Sequence, residues 1–173
     1  MIESIEFKNN YNKFFLVPML FCVFIDFILT VGIYFMVGDM TFNKSFKIFS
    51  YAFLFSALLY KIPLLIIFLN HYLQNKGIEF SLIKENGEID FKLNSPKVKT
   101  TIPYNDIMNI ECYLSLPRYY QRMSWLFWDN YFYYKIILNN GETIPISCLK
   151  CEKLFEHIPD DKRIRNKSFY PII

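Results

Sequence analysis

Glycine is scarce in this chain, five in 173 residues, and histidine scarcer still, with two. The few glycines form neither a G-x-x-x-x-G-K-[ST] phosphate loop nor a G-x-G-x-x-G dinucleotide turn, and G-x-S-x-G and H-E-x-x-H are also missing. His71 and His157 have no evident Ser or Cys partner in the sequence, so catalysis is not expected. Of four cysteines, Cys22 falls in an apolar run. Cys112, Cys148 and Cys151 are an odd number, which implies no disulfide framework. A net charge of +3 is too small to argue for nucleic acid. The leader sets Glu3 and Glu6 beside Lys8 and Lys13, and no A-x-A-like site follows the first apolar run. That run is therefore not expected to be a cleaved signal peptide.

What the chain has in plenty is apolar and aromatic residue, 53% and 20% of the total. Two runs concentrate it, Phe14 to Val37 and Ile48 to Leu69. Each is longer than the roughly 20 residues that span a bilayer at about 1.5 Å rise per residue. Neither has the polar face of a surface helix. They predict two antiparallel transmembrane helices, spans of about 14–37 and 48–70, joined by the short loop from Gly38 to Lys47. Lys8, Lys13, Lys76 and Lys84 flank the open end of this hairpin, against Lys44 and Lys47 in the loop. That excess places both termini in the cytoplasm by the positive-inside rule.

Each run carries one ionisable residue, Asp26 in the first and Lys61 in the second. Counted from the ends of the short loop, their positions differ by two residues, roughly 3 Å along a helix. The two are expected near mid-span at almost equal depth, paired across the hairpin. Pairing would offset a cost on the order of 3 kcal/mol for a lone charge at the bilayer centre. Two helices enclose no conduction path, so the expected role is a structural latch. Pro18 and Pro63 predict local kinks.

From Gly77 the texture changes. Ile78 to Lys84 alternates at period two for most of its length, Asn86-Gly87 marks a turn, and Ile89 to Leu93 returns with the same alternation. A strand beginning near Thr100 follows a loop holding Pro96, and Tyr131–Leu138 pairs with Thr143–Ser147 around Asn139-Asn140-Gly141. Cys151, Leu154, Phe155 and Ile158 then fall on one helical face, stopped by Pro159. The fold class is α+β, with a small antiparallel sheet or barrel capped by a C-terminal helix.

The segment Ile102-Pro103-Tyr104-Asn105-Asp106-Ile107-Met108-Asn109-Ile110 resembles the I-P-[aromatic]-x-[acid]-I-x-x-I step of bacterial pleckstrin-homology-like domains. Ile144-Pro145-Ile146 before the helix resembles the end of the same domain, and the two preceding spans make the whole similar to the YcxB-like membrane proteins. The resemblance implies a small barrel-like fold and a binding role. The whole is expected to be a multi-pass protein of the bacterial inner membrane, and no cofactor is expected. The expected organisation is a hairpin over 1–76, the PH-like domain over 77–159 and a basic tail over 160–173.

Two further features point to contacts. Arg118, Tyr119, Arg122, Trp125 and Trp128 lie within eleven residues, a mixture suited to lipid headgroups or a protein partner. Lys162, Arg163 and Arg165 in the tail suit anionic lipid. Cys148-Leu149-Lys150-Cys151 is a C-x-x-C without a second pair; Cys112, His71 and His157 would have to complete a zinc set. The expected function is a membrane-anchored binding or scaffolding protein whose partners are the lipid bilayer and another membrane protein or a second copy. Alternatives are an immunity or accessory protein bound to an integral membrane protein, and a metal or redox sensor using Cys148 and Cys151.

Overall fold

The computed structural model describes residues 2–7, 9–37, 42–85, 88–94, 99–124 and 126–173. Trp125, Lys8, the Asn86-Gly87 turn and the Pro96 loop lie outside the described residues. Strand β1 (Ile2–Glu6) opens the chain, followed by a π-helical turn Asn12–Leu16 and helix α1 (Val17–Val37). Helix α2 (Phe42–Ser56) passes through a second π-turn, Ala57–Lys61, into α3 (Ile62–Gln74). Each π-turn ends two residues before a proline, Pro18 or Pro63. A proline ring crowds the carbonyl four residues back and has no N–H to offer it, and the widened turn relieves both problems.

The carbonyl that Pro18 leaves without its helical donor is that of Phe14, and Tyr131 supplies the missing hydrogen bond from its hydroxyl at 2.8 Å. Tyr131 is fully buried. We expect Tyr131→Phe to lower stability by about 1–3 kcal/mol, because a buried carbonyl then goes unsatisfied. Denaturant melts of wild type and variant in the same detergent check this, and equal midpoints would contradict it.

Two four-stranded sheets follow. The first has the order β1-β2-β3-β4, all antiparallel, with β2 at Glu79–Glu85, β3 at Glu88–Asn94 and β4 at Lys99–Pro103. The second is β7-β6-β5-β8, from β5 (Ile107–Ser115), β6 (Phe132–Leu138), β7 (Thr143–Ser147) and β8 (Arg163–Ser168). One-turn helices α4 (Leu116–Tyr119) and α5 (Leu154–His157) complete the elements. The I-P-aromatic segment is the corner between the sheets. Pro103 ends β4, Tyr104–Asp106 make a 3-10 turn, and Ile102, Ile107 and Ile110 point into the core.

Three expectations change here. The residues before the hairpin are no mere leader: β1 pairs with β2 from Ile2↔Glu85 to Glu6↔Ser81, so the hairpin is an excursion between two paired strands. The segment expected as a tail is largely β8, lying parallel to β5 from Ile110↔Arg163 to Ser115↔Ser168. It covers the edge of β5, whose backbone groups would otherwise be open to pairing by another chain. The C-terminal helix is a single turn, because the Ser147 carbonyl takes the N–H groups of both Lys150 and Cys151 and folds 148–151 into a turn. Cys151, Leu154 and Ile158 are buried all the same.

Two helical stretches, Asn12–Ile33 and Phe46–Gln74, are long and apolar enough to cross a membrane, and only 22% and 17% of their most apolar windows are buried. Core helices of soluble proteins are mostly enclosed, so these are unlike them. Their buried positions form one stripe on each helix: Phe14, Pro18, Cys22 and Asp26 on the first, Lys61, Leu64, Ile67 and His71 on the second. Phe14, Leu64 and Ile67 belong to the same core cluster as Phe80, Phe91, Ile110 and Ile146. The roots of the apolar runs are thus part of the domain.

Candidate functional site

The seam between the helices brings Asp26 and Lys61 together. The Lys61 ammonium donates to Asp26 Oδ2, with both side chains nearly withdrawn from solvent. The ammonium also sits 3.7 Å from the centroid of the Phe53 ring. Thr30 donates from its hydroxyl to the Asp26 carbonyl at 2.7 Å. The pair is ordered by i, i+4 spacing on one helix and by the π-turn ending at Lys61 on the other.

Its position is close to the middle of the helices, Asp26 lying nine residues after Val17 and eleven before Val37 of α1. Phe127 meets Phe21 edge-on at 5.7 Å, and Trp128 lies 6.3 Å from Tyr60. The domain therefore reaches along the helices as far as Phe21 and Tyr60. Asp26 stands five residues past Phe21, about 8 Å along the axis, and eleven residues, about 16 Å, short of the end of α1. Since Tyr60 adjoins Lys61, the ion pair sits level with the rim of the domain's collar.

That collar is the segment holding the aromatic and basic residues. Pro117 starts α4, and a positive φ of 54° at Gln121 turns the chain back. Trp128 is buried against the hairpin, so its ring serves the helix–domain joint and is not available to an outside ligand. Arg118 donates to the Asn130 carbonyl at 3.1 Å and lies over the Phe132 ring. Arg122 stays exposed, its guanidinium 5.5 Å from the Tyr120 ring centroid. Lys167, from β8, donates to the Tyr120 hydroxyl at 2.6 Å and covers Tyr119. Arg122, Lys167 and the two tyrosines thus share one patch, beside the exposed Leu116, Met123 and Leu126.

The other cations of the last segment divide. Lys162 donates to the carbonyls of Tyr104 and Ile107, pinning the corner between the sheets. Arg163 donates to the Ile158 carbonyl and pairs with Asp160. Both are engaged within the domain, which leaves Arg165 exposed.

A cluster that the sequence reading passed over lies at the root of α3. His71 is fully buried, with Nδ1 at 2.7 Å from the Ser147 hydroxyl and Nε2 at 2.5 Å from the Pro171 carbonyl. The carbonyl can only accept, so Nε2 carries the proton and Nδ1 accepts from Ser147. Asn75 accepts from the Ser147 N–H, and Asn70 exchanges two hydrogen bonds with the backbone of Ile173. Asn70, His71 and Asn75, polar residues directly after an apolar run, were the available signal for this joint.

Cys112, Cys148 and Cys151 are buried and free. Burial pushes the Cys112 and Cys148 thiols up to about 12, and it raises Cys151 as well. Burial thus disfavours the thiolate, the form that serves metal binding and redox exchange. Among the described residues, no three His, Cys, Asp or Glu side chains gather as a metal site. Tyr104 is likewise pushed up by burial and by its 2.7 Å hydrogen bond to Asp161.

A family model described as a PH domain matches residues 5–154. The match runs from β1 through both apolar helices to the start of α5, so it takes in the hairpin and stops before β8. No curated protein and no solved structure matches the chain.

Proposed function

Because the chain belongs to the PH-domain family, we propose that it is a membrane-anchored, non-enzymatic binding or scaffolding protein of the YcxB-like kind. In this reading α1 and the helix from α2 to α3 cross the bacterial inner membrane as a hairpin, with both termini and the domain on the cytoplasmic side. The observation that carries it is the exposed apolar belt of the two helices, including Leu20, Phe24, Phe27, Phe35, Leu54 and Leu58. An apolar surface of this extent is not kept in water by a monomer. Asp26 and Lys61 latch the two helices at the rim of the domain. Arg122 and Lys167 then lie beside exposed apolar side chains where the helices leave the collar, a level suited to anionic headgroups.

The proposal is tested on membranes from cells expressing the full chain. We expect the protein to remain in the pellet after an alkaline wash and, once extracted in mild detergent, to retain anionic phospholipid above its share in the bulk membrane. Arg122→Gln combined with Lys167→Gln should reduce that enrichment without releasing the protein from the pellet. Recovery in the alkaline supernatant would overturn the anchor. A bound-lipid composition equal to the bulk would overturn the headgroup contact.

A further inference from the structure

The exposed apolar surface of the hairpin is not confined to the part beyond the collar. Leu16, Val17 and Leu20 precede Phe21 on the first helix, Ile66, Leu69 and Leu73 follow Tyr60 on the second, and all six are exposed. They flank the domain, and a monomer does not leave such a flank to water. The length of chain past the collar says what covers it. From Phe21 to Val37, the end of α1, is sixteen residues, about 24 Å. From Tyr60 back to Ile48, where the second apolar run begins, is twelve residues, about 18 Å. The hydrocarbon core of a bilayer is about 30 Å thick. Lys44 and Lys47 are exposed at the tip and hold it at the far face. Tilting the helices or pushing the tip outward only draws the collar further in. Hydrocarbon therefore extends about 6–12 Å past the collar's rim, alongside the domain.

The collar has the chemistry for that depth. From Leu116 to Trp128 the sequence holds no acidic residue. Met123 is 85% exposed, with Leu116 and Leu126 exposed beside it. Backbone that enters hydrocarbon must close its own hydrogen bonds, and this segment closes several. The Tyr120 N–H donates to the Leu116 carbonyl at 3.1 Å, and the Arg122 N–H to the Pro117 carbonyl at 2.8 Å. The Leu126 N–H donates to the Ser124 hydroxyl at 3.1 Å. Arg118 is occupied by the Asn130 carbonyl and the Phe132 ring. The Asp129 carboxylate is buried and accepts from Ser124. Arg122 and Lys167 have stems long enough to return their charges to the headgroups.

We propose that the collar is immersed in the cytoplasmic leaflet, with Leu116, Met123 and Leu126 against lipid acyl chains, so that the domain is partly sunk in the membrane and not held above it. The proposal rests on the reading of the two helices as a membrane anchor. A bilayer thinned to meet the collar would cost free energy for each ångström of mismatch, and it would leave the six flanking side chains in water. Immersion satisfies the flank and the collar together.

The test attaches a nitrobenzoxadiazole fluorophore at Met123→Cys, and separately at Leu58→Cys in the second span, in the full chain reconstituted into phospholipid vesicles. The native cysteines are buried and both positions are exposed, so labelling is selective. Phospholipids with a nitroxide on the upper acyl chain are expected to quench position 123 about twofold more than phospholipids with a nitroxide on the headgroup, as for an apolar face set below the headgroups. Position 58 is expected to be quenched from the acyl chain as well. A label at Leu126→Cys should report the same depth as 123, which guards against a local effect of one substitution. Quenching at 123 that is as strong from the headgroup would overturn the immersion, while quenching at 58 leaves the anchor standing. Quenching at 123 by neither lipid would also overturn it, and would mean that protein covers the collar. No acyl-chain quenching at 123 or 58 would overturn both the immersion and the anchor.

Discussion

Asp26→Asn alone should destabilise the helical hairpin by about 3 kcal/mol or more, and adding Lys61→Met to the same chain should recover most of the loss. The single change leaves Lys61 with its ammonium enclosed by the seam and facing the Phe53 ring, without its carboxylate. Breaking one half of a buried pair costs about 3–5 kcal/mol, whereas replacing both halves with well-packed neutral residues is often near neutral. The position of the pair moderates the size of the effect. Because the domain reaches Phe21 and Tyr60, an unpaired Lys61 has only a short distance to extend toward the collar side. A lysine that can extend toward water costs less than one held at the bilayer centre. Unfolding of wild type, both single variants and the double variant in mixed micelles measures the coupling. Additive effects, with no recovery in the double variant, would mean that the two side chains do not stabilise one another.

Leu64→Ala is expected to cost about 2–5 kcal/mol, and Ile66→Ala within about 0.5 kcal/mol of nothing. The two residues are separated by a single position in one apolar run, yet Leu64 is 0% exposed and Ile66 is 56% exposed. Leu64 packs into the core that also holds Phe80, Phe91 and Ile146, so its truncation opens a cavity inside the domain. The reading from hydropathy alone assigns both residues to lipid and predicts similar small effects. Thermal melts followed by near-UV circular dichroism, which reports the packing of the domain's tyrosines, distinguish the two accounts. Equal shifts for the two variants would remove the claim that the root of the hairpin is domain core.

The same comparison explains what was legible in the sequence. The apolar runs, the two hairpins of the sheets and the I-P-aromatic corner were readable because each rests on a local period or turn signal. Ile2–Glu6 has little alternation of its own and becomes a strand only because β2 offers it an edge. Arg163–Ser168 was hidden by its charge, which is the usual dress of an edge strand. Phe14, Leu64 and Ile67 look like their exposed apolar neighbours, and only the polar Asn70, His71 and Asn75 mark where the run joins the domain. Asp26 and Lys61 were legible as partners from their offset, but how near the domain comes to them was not, since the reach of Phe127 and Trp128 along the helices is contained in no spacing within the runs.

The central claim is that one apolar surface of this protein faces lipid while the rest faces water. Phe27 in α1 and Met108 in β5 test it directly, because they are almost equally exposed, 63% and 62%. All four native cysteines are buried, so Phe27→Cys and Met108→Cys can each be spin-labelled selectively after reconstitution of the full chain into vesicles. The account predicts a label at position 27 that collides readily with oxygen and is shielded from a polar nickel reagent, and the reverse at position 108. A label at position 27 as open to the nickel reagent as the one at 108 would contradict it.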